Sequence, residues 1–377
     1  MLSAPLLTAS LIVKDEEESI RSCLESLEGV ADEVVVVDTG STDRTREFAL
    51  KLGARLYDFE WNGDFSAARN YGLDRSNGTW ILYIDADERL RPESAGNLRA
   101  ELSKPGFVGY EVLMHPRPAH TPYWVLRLFR NHPSVRFCGI IHENIWPALV
   151  QYRVACRGNI GKSEFTLDHV GYEGNQAAKC ARNFPLLIRS LDQDPSRVYC
   201  WCHLANIYMD RGAYGHAEEA WQRALEIVRK KTTRISEDVL PYLGLIERGL
   251  AVRRDVSDLL AEGLSRFASN VQLHWLRGRF LVNEGQFGLA VKVFETFIDR
   301  GRSCDYDYGF ATDLRFFDEF AYEALAHCHL RMGNYAESRR YYELAADRNP
   351  EKLEYRAKRA LASHLCRTGT LLSNAAS

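Results

Sequence analysis

The stretch that decides the fold is WILYIDADE, residues 80–88. Its first five residues are apolar without interruption, which indicates a strand buried on both faces of a sheet. Acidic side chains occupy three of the four positions that follow. A second stretch of this kind, EVVVVD at residues 33–38, is rich in β-branched residues and ends in Asp38. The sequence therefore places carboxylates directly after two buried strands.

Strand-like and helix-like patterns alternate outward from these two strands. Further strands are predicted at residues 9–13 and 54–59, and helices at residues 16–27, 44–52 and 65–75. This repeated βα order predicts a parallel sheet with helices on both faces. Ligands of such sheets bind beyond the carboxyl ends of the strands, which is where the acidic residues stand.

The rhythm changes after Pro92. Strands are predicted at residues 109–114, 124–129 and 136–141, separated by loops that contain proline and histidine. We expect this stretch to add antiparallel strands to the sheet and to form the acceptor side of a cleft.

Asp-x-Asp triplets arise easily by chance, and this chain contains three, at residues 85–87, 192–194 and 305–307. The second precedes a proline at the end of a predicted helix, which is typical of capping and solvation. The third lies in a tyrosine-rich linker between helices. Only the first directly follows a buried strand, so it is the candidate functional site.

Two carboxylates at positions i and i+2, such as Asp85 and Asp87, repel each other. Without a counter-charge, their repulsion and desolvation cost several kcal/mol. A divalent cation supplies that charge, and hard oxygen ligands select Mg²⁺ or Mn²⁺. The chemistry indicated is departure of a nucleoside diphosphate, with the metal stabilising the leaving oxygen. The alternative interpretation is a solvated turn after a strand.

The second half of the chain has a different pattern, because strand signals end near residue 176. A helix is predicted at residues 176–191, interrupted by Pro185, and tetratricopeptide (TPR) spacing follows at residues 201–224, 278–297 and 322–350. Residues 236–268 are expected to form a degenerate helical pair. The alternative is a plain bundle of amphipathic helices. Stacked helical pairs build a surface suited to binding another chain, which predicts a peptide or protein partner and allows a homodimer through this half.

Composition and charge argue against several classes of partner and location. The chain has 377 residues and a net charge of −3, so nothing points to nucleic acid or an anionic membrane as a partner. The apolar run at residues 6–13 is too short for an integral membrane segment and has the wrong flanks for a signal peptide. The nine cysteines show no C-x-x-C spacing, which favours reduced thiols and a cytoplasmic protein.

Several ordered blocks between residues 8 and 172 resemble a known family. They are IVKDEE at 12–17, VVDTGSTD at 36–43, DFSAARN at 64–70, WILYIDADE at 80–88, LFRN at 128–131, IHE at 141–143 and HVGY at 169–172. Together they resemble the family-2 glycosyltransferases of the GT-A fold. With the TPR-like half appended, the chain is similar to the sublancin-type peptide S-glycosyltransferase subgroup. The domains expected are an α/β GT-A domain at 1–175, a connecting helix at 176–196, an all-α TPR-like domain at 197–365 and a tail at 366–377.

The resemblance implies roles for residues that bind the donor, a UDP-sugar. Asp38 would accept a hydrogen bond from the uracil N3–H, and Val13 and Glu16 would lie in the loop that grips the nucleoside. Arg69 would reach the nucleotide, or else it is a surface helix arginine in a salt bridge. In the triplet, Asp85 would contact ribose or a metal-bound water and Asp87 would bind Mn²⁺ or Mg²⁺ directly. Ala86 lies between them in the donor site.

The resemblance also implies catalytic and metal-binding residues nearer the acceptor. Glu143 would act as the base of an inverting displacement, with an ion pair to a neighbouring arginine such as Arg136 as the alternative. His169 would complete the metal site, but His142 could equally be the ligand or assist in catalysis. Asp168 would orient His169. If the acceptor is a thiol, whose pKa is about 8.5, the base contributes less to the rate.

Three hypotheses about function follow from the sequence. The first is an inverting, metal-dependent transfer of a sugar from a UDP-sugar to a cysteine or serine side chain of a peptide or protein. The second keeps the donor site and changes the acceptor to a saccharide or a lipid-linked glycan. The third is a TPR scaffold with a decayed catalytic domain, which the intact set of donor-site residues disfavours.

Overall fold

The computed structural model describes residues 4–116, 118–171, 176–233, 235–306 and 308–375, with side chains up to residue 368 except that of residue 176. Tyr172 and Asp307, which belong to two of the motifs above, lie outside the described residues. The chain forms two compact units. The first is Met1–Pro118 with Pro122–Ala213, and the second is Ala119–Thr121 with Tyr214–Ser377. The expected domain boundaries remain predictions.

The first unit is an α/β unit. Its elements are β1 (Leu7–Val13), α1 (Ile20–Ser26), β2 (Glu33–Asp38), α2 (Thr45–Lys51), β3 (Arg55–Asp58), α3 (Phe65–Leu73), β4 (Trp80–Tyr83), β5 (Glu88–Leu90), α4 (Leu98–Leu102), β6 (Phe107–His115), β7 (Tyr123–Arg130), α5 (Trp146–Cys156), β8 (Asn159–His169), α6 (Gln176–Gln193) and α7 (Val198–Asp210). The predicted βα alternation is confirmed from β1 to β4. Helix α6 keeps Pro185 in its interior.

The strands form one eight-stranded sheet in the order β3-β2-β1-β4-β7-β6-β8-β5. Strands β1 to β4 pair in parallel. Strand β7 is antiparallel to both β4 and β6, and β8 is parallel to β6. Strand β8 therefore runs in the same direction as β4, and its carboxyl end reaches the same edge of the sheet. Strand β5 returns antiparallel beside it.

The predicted strand at residues 136–141 is wrong. These residues form a loop that holds only an isolated bridge between Cys138 and Asn144. Gly139 has a φ of +94°, outside the range of a strand. The apolar side chains of Ile140 and Ile141 pack against α6 and α7 instead of against a sheet. The apolar residues that suggested a strand are present because this loop is buried.

The patterns also failed to predict α4, α5, β5 and β8. In β8, exposed Lys162 and Glu164 alternate with buried Ser163, Phe165 and Leu167. This two-residue period is that of a strand with one face in the core, and it is the signal that was available in the sequence.

The second unit is helical. It contains α8 (Tyr214–Lys230), α9 (Leu240–Ala251), α10 (Ser257–Arg266), α11 (Val271–Asn283), α12 (Phe287–Ser303), α13 (Glu319–Arg331), α14 (Tyr335–Arg348) and α15 (Leu353–Ala375). The helical pair predicted at residues 236–268 is confirmed as α9 and α10. Helix α15 runs through most of the predicted tail. None of the helices in the described residues combines the length and the apolar composition of a membrane span.

Candidate active site

The site lies where β1, β2, β4 and β8 end. Val13 and Asp38 are the last residues of β1 and β2 and are paired across the sheet. The turn that contains Asp85 and Asp87 follows β4 directly. His169 ends β8 and pairs with Glu88 of β5. Strand direction and register thus bring residues from widely separated parts of the chain to one edge.

Asp87 and His169 are in contact. The Oδ2 atom of Asp87 lies 3.2 Å from Nε2 of His169, and about a quarter of each side chain is exposed. Val170 donates its N–H to the Asp87 carbonyl at 2.9 Å. At Gly171 a Cβ atom would lie 1.9 Å from Oδ2 of Asp87, so only glycine fits there. Burial opposes protonation of His169, but the Asp87 hydrogen bond and nearby carboxylates outweigh it and raise its pKa.

Asp85 is held between two guanidinium groups. Nη2 of Arg69 donates to its Oδ1 at 2.7 Å, and Nη2 of Arg127 lies 3.5 Å from its Oδ2. Burial raises the pKa of Asp85, but Arg69 and Arg127 outweigh burial and hold it below its ordinary value. Asp85 is therefore an ionised carboxylate with both oxygens facing cations.

Two further carboxyl groups crowd this edge. Burial and then the charges of Asp87 and Asp85 raise the pKa of Glu16 to about 7. Burial is also the main cause that raises the pKa of Glu88 to about 7, and the Asp85 charge adds to it although Arg127 opposes it. The crowding disfavours the ionised forms in the absence of an added positive charge.

Asp38 is buried, with 2% of its surface exposed. Both of its oxygens accept from the Ser41 N–H at 3.2 Å, and Oδ2 also accepts from Nη1 of Arg46 at 2.8 Å. Asp43, five residues further on, accepts the N–H of Thr45 at 2.9 Å. Asp38 is therefore a buried carboxylate at the end of β2, held by the N–H of Ser41 in the following turn and by Arg46.

Arg69 also joins Glu143 to this cluster. It lies on α3, is 7% exposed, and its Nε donates to Oε1 of Glu143 at 2.5 Å. The alternative in which Arg69 is a surface arginine is therefore wrong. The alternative in which Glu143 forms an ion pair with an arginine is borne out, but its partner is Arg69, because Arg136 binds Asp74 at 2.7 Å.

Comparison with known proteins finds a matching family model for part of each half of the chain. Residues 10–146 match the model of glycosyl transferase family 2, and residues 321–352 match a tetratricopeptide repeat. The chain carries a family-2 glycosyltransferase domain. The chain thus has a GT-A domain followed by TPR-like helices, and this architecture resembles that of the sublancin-type glycosyltransferases.

Two curated relatives and one solved structure illustrate the similarity. A TPR repeat-containing protein of Synechococcus elongatus is 34% identical over 246 residues, which is 63% of this chain and 60% of that protein. The SPbeta prophage-derived glycosyltransferase SunS of Bacillus subtilis is 28% identical over 203 residues, 51% of this chain and 46% of that protein. The chain spans about half the length of these relatives. The structure of S. aureus TarS 1-349 in complex with UDP-GlcNAc is 17% identical with a TM-score of 0.38, covering 74% of this chain and 89% of that one.

His142 of the glycosyltransferase domain is not in contact with Asp87. Its ring packs against Tyr199 and His203 of α7, with centroids 4.8 and 4.3 Å away. Burial, then the neighbouring His203 and Arg197, lower the pKa of His142 to about 3. Of the two histidines considered for the metal, His169 is the one beside the acidic turn.

Asp168 does not orient His169, contrary to the prediction. It forms an ion pair with Arg91 at 2.7 Å. Successive residues of a strand point to opposite faces of the sheet, so Asp168 and His169 of β8 face different neighbours. Asp168 therefore cannot support the His169 ring in the way that the sequence predicted, because the two side chains lie on opposite faces of β8.

Arg127, Glu88 and Arg46 were not assigned roles from the sequence, although each contacts a predicted site residue. A signal was available for Glu88, since a buried carboxylate one residue beyond the triplet requires a cation nearby.

The residues present fit a divalent cation. Asp87 and His169 offer an oxygen and a nitrogen 3.2 Å apart, and the surrounding carboxylates favour added positive charge. The described residues hold no group of three or more histidine, cysteine or acidic side chains that could bind a metal by themselves. Mg²⁺ is commonly bound through one or two carboxylates and completes its shell with water and substrate phosphates, so a site with few protein ligands is compatible with such an ion.

Proposed function

We propose that this chain is an inverting, metal-dependent glycosyltransferase that moves a sugar from a UDP-sugar to a cysteine or serine side chain of a peptide or protein. The contact between Asp87 and His169, at the sheet edge where Asp38 also ends its strand, carries the proposal. The family match supports the class of reaction. The TPR repeat supports a peptide or protein as acceptor, because stacked helical pairs commonly bind other chains.

The donor would lie across the ends of β1, β2 and β4. Asp38 would accept a hydrogen bond from the uracil N3–H, and its burial favours a single orientation of that carboxylate. Val13 and Glu16 would flank the nucleoside. Asp85, two residues before Asp87, would contact the ribose.

Asp87 and His169 would hold Mn²⁺ or Mg²⁺. Such an ion, when bound, stabilises the negative charge on the departing diphosphate. Both side chains are partly exposed, so phosphate oxygens can approach them.

Glu143 would act as the base. Its Oε1 is engaged by Arg69, which fixes the carboxylate, and Oε2 would take the proton from the acceptor thiol or hydroxyl. The acceptor atom forms a bond to the anomeric carbon while the bond to the diphosphate oxygen breaks, and its electron pair leaves with UDP. Attack opposite the leaving group inverts the configuration, through a transition state that resembles an oxocarbenium ion.

The described cysteines are all free thiols, which fits a reaction in the reducing cytoplasm. Self-association through the helical unit remains a prediction, and gel filtration with light scattering would measure it.

The test is transfer to a cysteine-containing peptide, measured by intact mass after incubation with Mn²⁺ and a panel of UDP-sugars. The wild type should add one hexose mass to the peptide, and chelation of the metal should abolish the addition. Asp87→Asn should lower the rate at least 100-fold, because it removes a charged ligand.

Asp192→Asn is the matched control, since it makes the same change in another Asp-x-Asp triplet, at an exposed position in α6. Equal rates for Asp87→Asn and Asp192→Asn would contradict the proposed site. If the enzyme transfers sugar to saccharides but not to any peptide, the proposed peptide acceptor is wrong and the proposed donor chemistry stands.

A further inference from the structure

Arg127 lies on β7, beside the end of β4. The last registered pair of these antiparallel strands is Leu82 with Leu128, so Arg127 stands level with Tyr83. Its guanidinium carbon is 4.4 Å from the centroid of the Tyr83 ring. Only 11% of the Arg127 side chain is exposed. The guanidinium is therefore an interior group directly under the turn at residues 84–88.

This guanidinium holds the turn in two ways. Directly, it faces Oδ2 of Asp85 at 3.5 Å. Indirectly, it contacts Oε1 of Glu88, whose Oε2 accepts the backbone N–H of Asp85 at 3.0 Å. The backbone closes the same turn, since the Glu88 N–H donates to the Asp85 carbonyl at 2.9 Å. Both ends of the turn are thus tied to one side chain.

Arg69 complements Arg127 on the other side of the Asp85 carboxylate. It binds Oδ1 at 2.7 Å, and its guanidinium carbon lies 5.2 Å from the same Tyr83 ring. With both oxygens of Asp85 facing cations, its carboxylate has one orientation. Asp87, two residues further on, is then left to face His169.

The energetics favour a positioning role for Arg127 over a role in stability. A buried ion pair is often no more stabilising than apolar residues of the same volume. In addition, Nε of Arg127 is buried without a hydrogen-bond partner among the described residues, and a buried donor left in this way costs stability. An apolar side chain would fill this position at lower cost if packing were its only purpose.

We propose that Arg127 is a positioning residue of the nucleotide site, which fixes the turn at residues 84–88 so that Asp85 can meet the ribose and Asp87 the metal. This inference rests on the proposed function, because it assigns the turn to a nucleotide.

The experiment compares four forms of the full chain: wild type, Arg127→Met, the double variant Glu88→Gln with Arg127→Met, and Arg130→Met. The dissociation constant for UDP is measured by calorimetry with and without Mn²⁺, and melting temperatures are measured in parallel. Arg127→Met leaves Glu88 without its cation, so its melting temperature should fall. The double variant removes the buried charge and should recover most of that loss.

UDP binding separates positioning from stability. Both variants at position 127 should bind UDP at least tenfold more weakly than the wild type, because Asp85 loses one of its two cations in each. Arg130→Met is the matched control on the same strand. Arg130 stacks on Trp80 at 4.2 Å and donates to the Phe107 carbonyl, and its variant should bind UDP as the wild type does.

Three outcomes would overturn the inference while the proposed function stands. They are a double variant that binds UDP within threefold of the wild type, a double variant that no longer melts cooperatively, and an Arg130→Met variant weakened as much as Arg127→Met. Absence of UDP binding by the wild type in Mn²⁺ would instead overturn the proposed function and the inference with it.

Discussion

At the scale of single residues, buried ionisable groups of the first unit occupy two contrasting environments. At the sheet edge, Asp85 and Glu143 are paired with arginines. Two imidazoles, one of them next to Glu143 in the sequence, pack together near the positive charge of Arg197. His142 and His203 have ring centroids 4.3 Å apart, and Nε2 of His142 is buried without a hydrogen-bond partner in the described part of the chain. These imidazoles are neutral in the folded state.

The pair makes folding sensitive to acid. Burial lowers the pKa of His203 to about 4 and that of His142 to about 3, against 6.5 in the unfolded chain. Because the folded-state pKa is depressed, the stability is fully present above pH 6.5. It is lost as the pH falls below that value, where the unfolded chain binds protons that the folded chain does not. At pH 5 each imidazole should lower the free energy of unfolding by up to about 2 kcal/mol.

Urea denaturation between pH 7.5 and pH 5 would measure this loss. The free energy of unfolding should fall less between pH 7.5 and pH 5 in His203→Gln than in the wild type. The difference should be about the contribution of one imidazole. His132→Gln, at an exposed position of the same unit, serves as the control and should follow the wild type. A His203→Gln curve parallel to that of the wild type would show that the pair is not responsible.

At the scale of elements, the helical pairs of the second unit approach closely at glycines. Gly278 of α11 lies against the ring of Phe294 of α12, and a Cβ atom at this position would be 2.5 Å from Cε1 of that ring. Phe294 is 1% exposed, so it has no open space into which to move. The absence of a side chain at Gly278 is therefore a packing requirement.

Gly278→Ala should destabilise the protein, although alanine favours a helix by about 1 kcal/mol. Overpacking a filled core typically costs about 1–3 kcal/mol. This cost exceeds the gain in helix propensity, so the variant should be less stable than the wild type. Gly288→Ala is the matched control in α12, because nothing lies within 4 Å of its added Cβ. Thermal denaturation should show a lower melting temperature for the first variant and an equal or higher one for the second. The reverse order would contradict the packing argument.

At the scale of the whole molecule, each of the two compact units has a core of its own. That of the first is built from residues of β1, α1, β4 and their neighbours. That of the second includes the aromatic side chains of Phe294, Phe297 and Phe317. The proposed donor residues all belong to the first unit, so a bound donor should stabilise that unit selectively.

Differential scanning calorimetry with UDP and Mn²⁺ would test this selectivity. A ligand at 100 times its dissociation constant stabilises the state that binds it by about 2.7 kcal/mol. The transition of the first unit should therefore move to a higher temperature while that of the second stays in place. Asp87→Asn should remove the shift. Equal shifts of both transitions would mean that the ligand does not act through the first unit alone.

The sequence by itself determined the βα order from β1 to β4 and the helical second half, because apolar periodicity is a local property of the chain. It also selected residues 85–87 among three similar triplets, since only that one follows a buried strand. Asp87 and His169 were both predicted, on the strength of motifs.

Only the tertiary structure decided which side chains meet. The direction of β8 brings His169 to Asp87, and strand alternation turns Asp168 towards Arg91. The pairing of β7 with β4 delivers Arg127 to Asp85 from 42 positions further along the chain. Contacts of this kind depend on sheet order and register, which are set by long-range packing and leave no local pattern in the sequence.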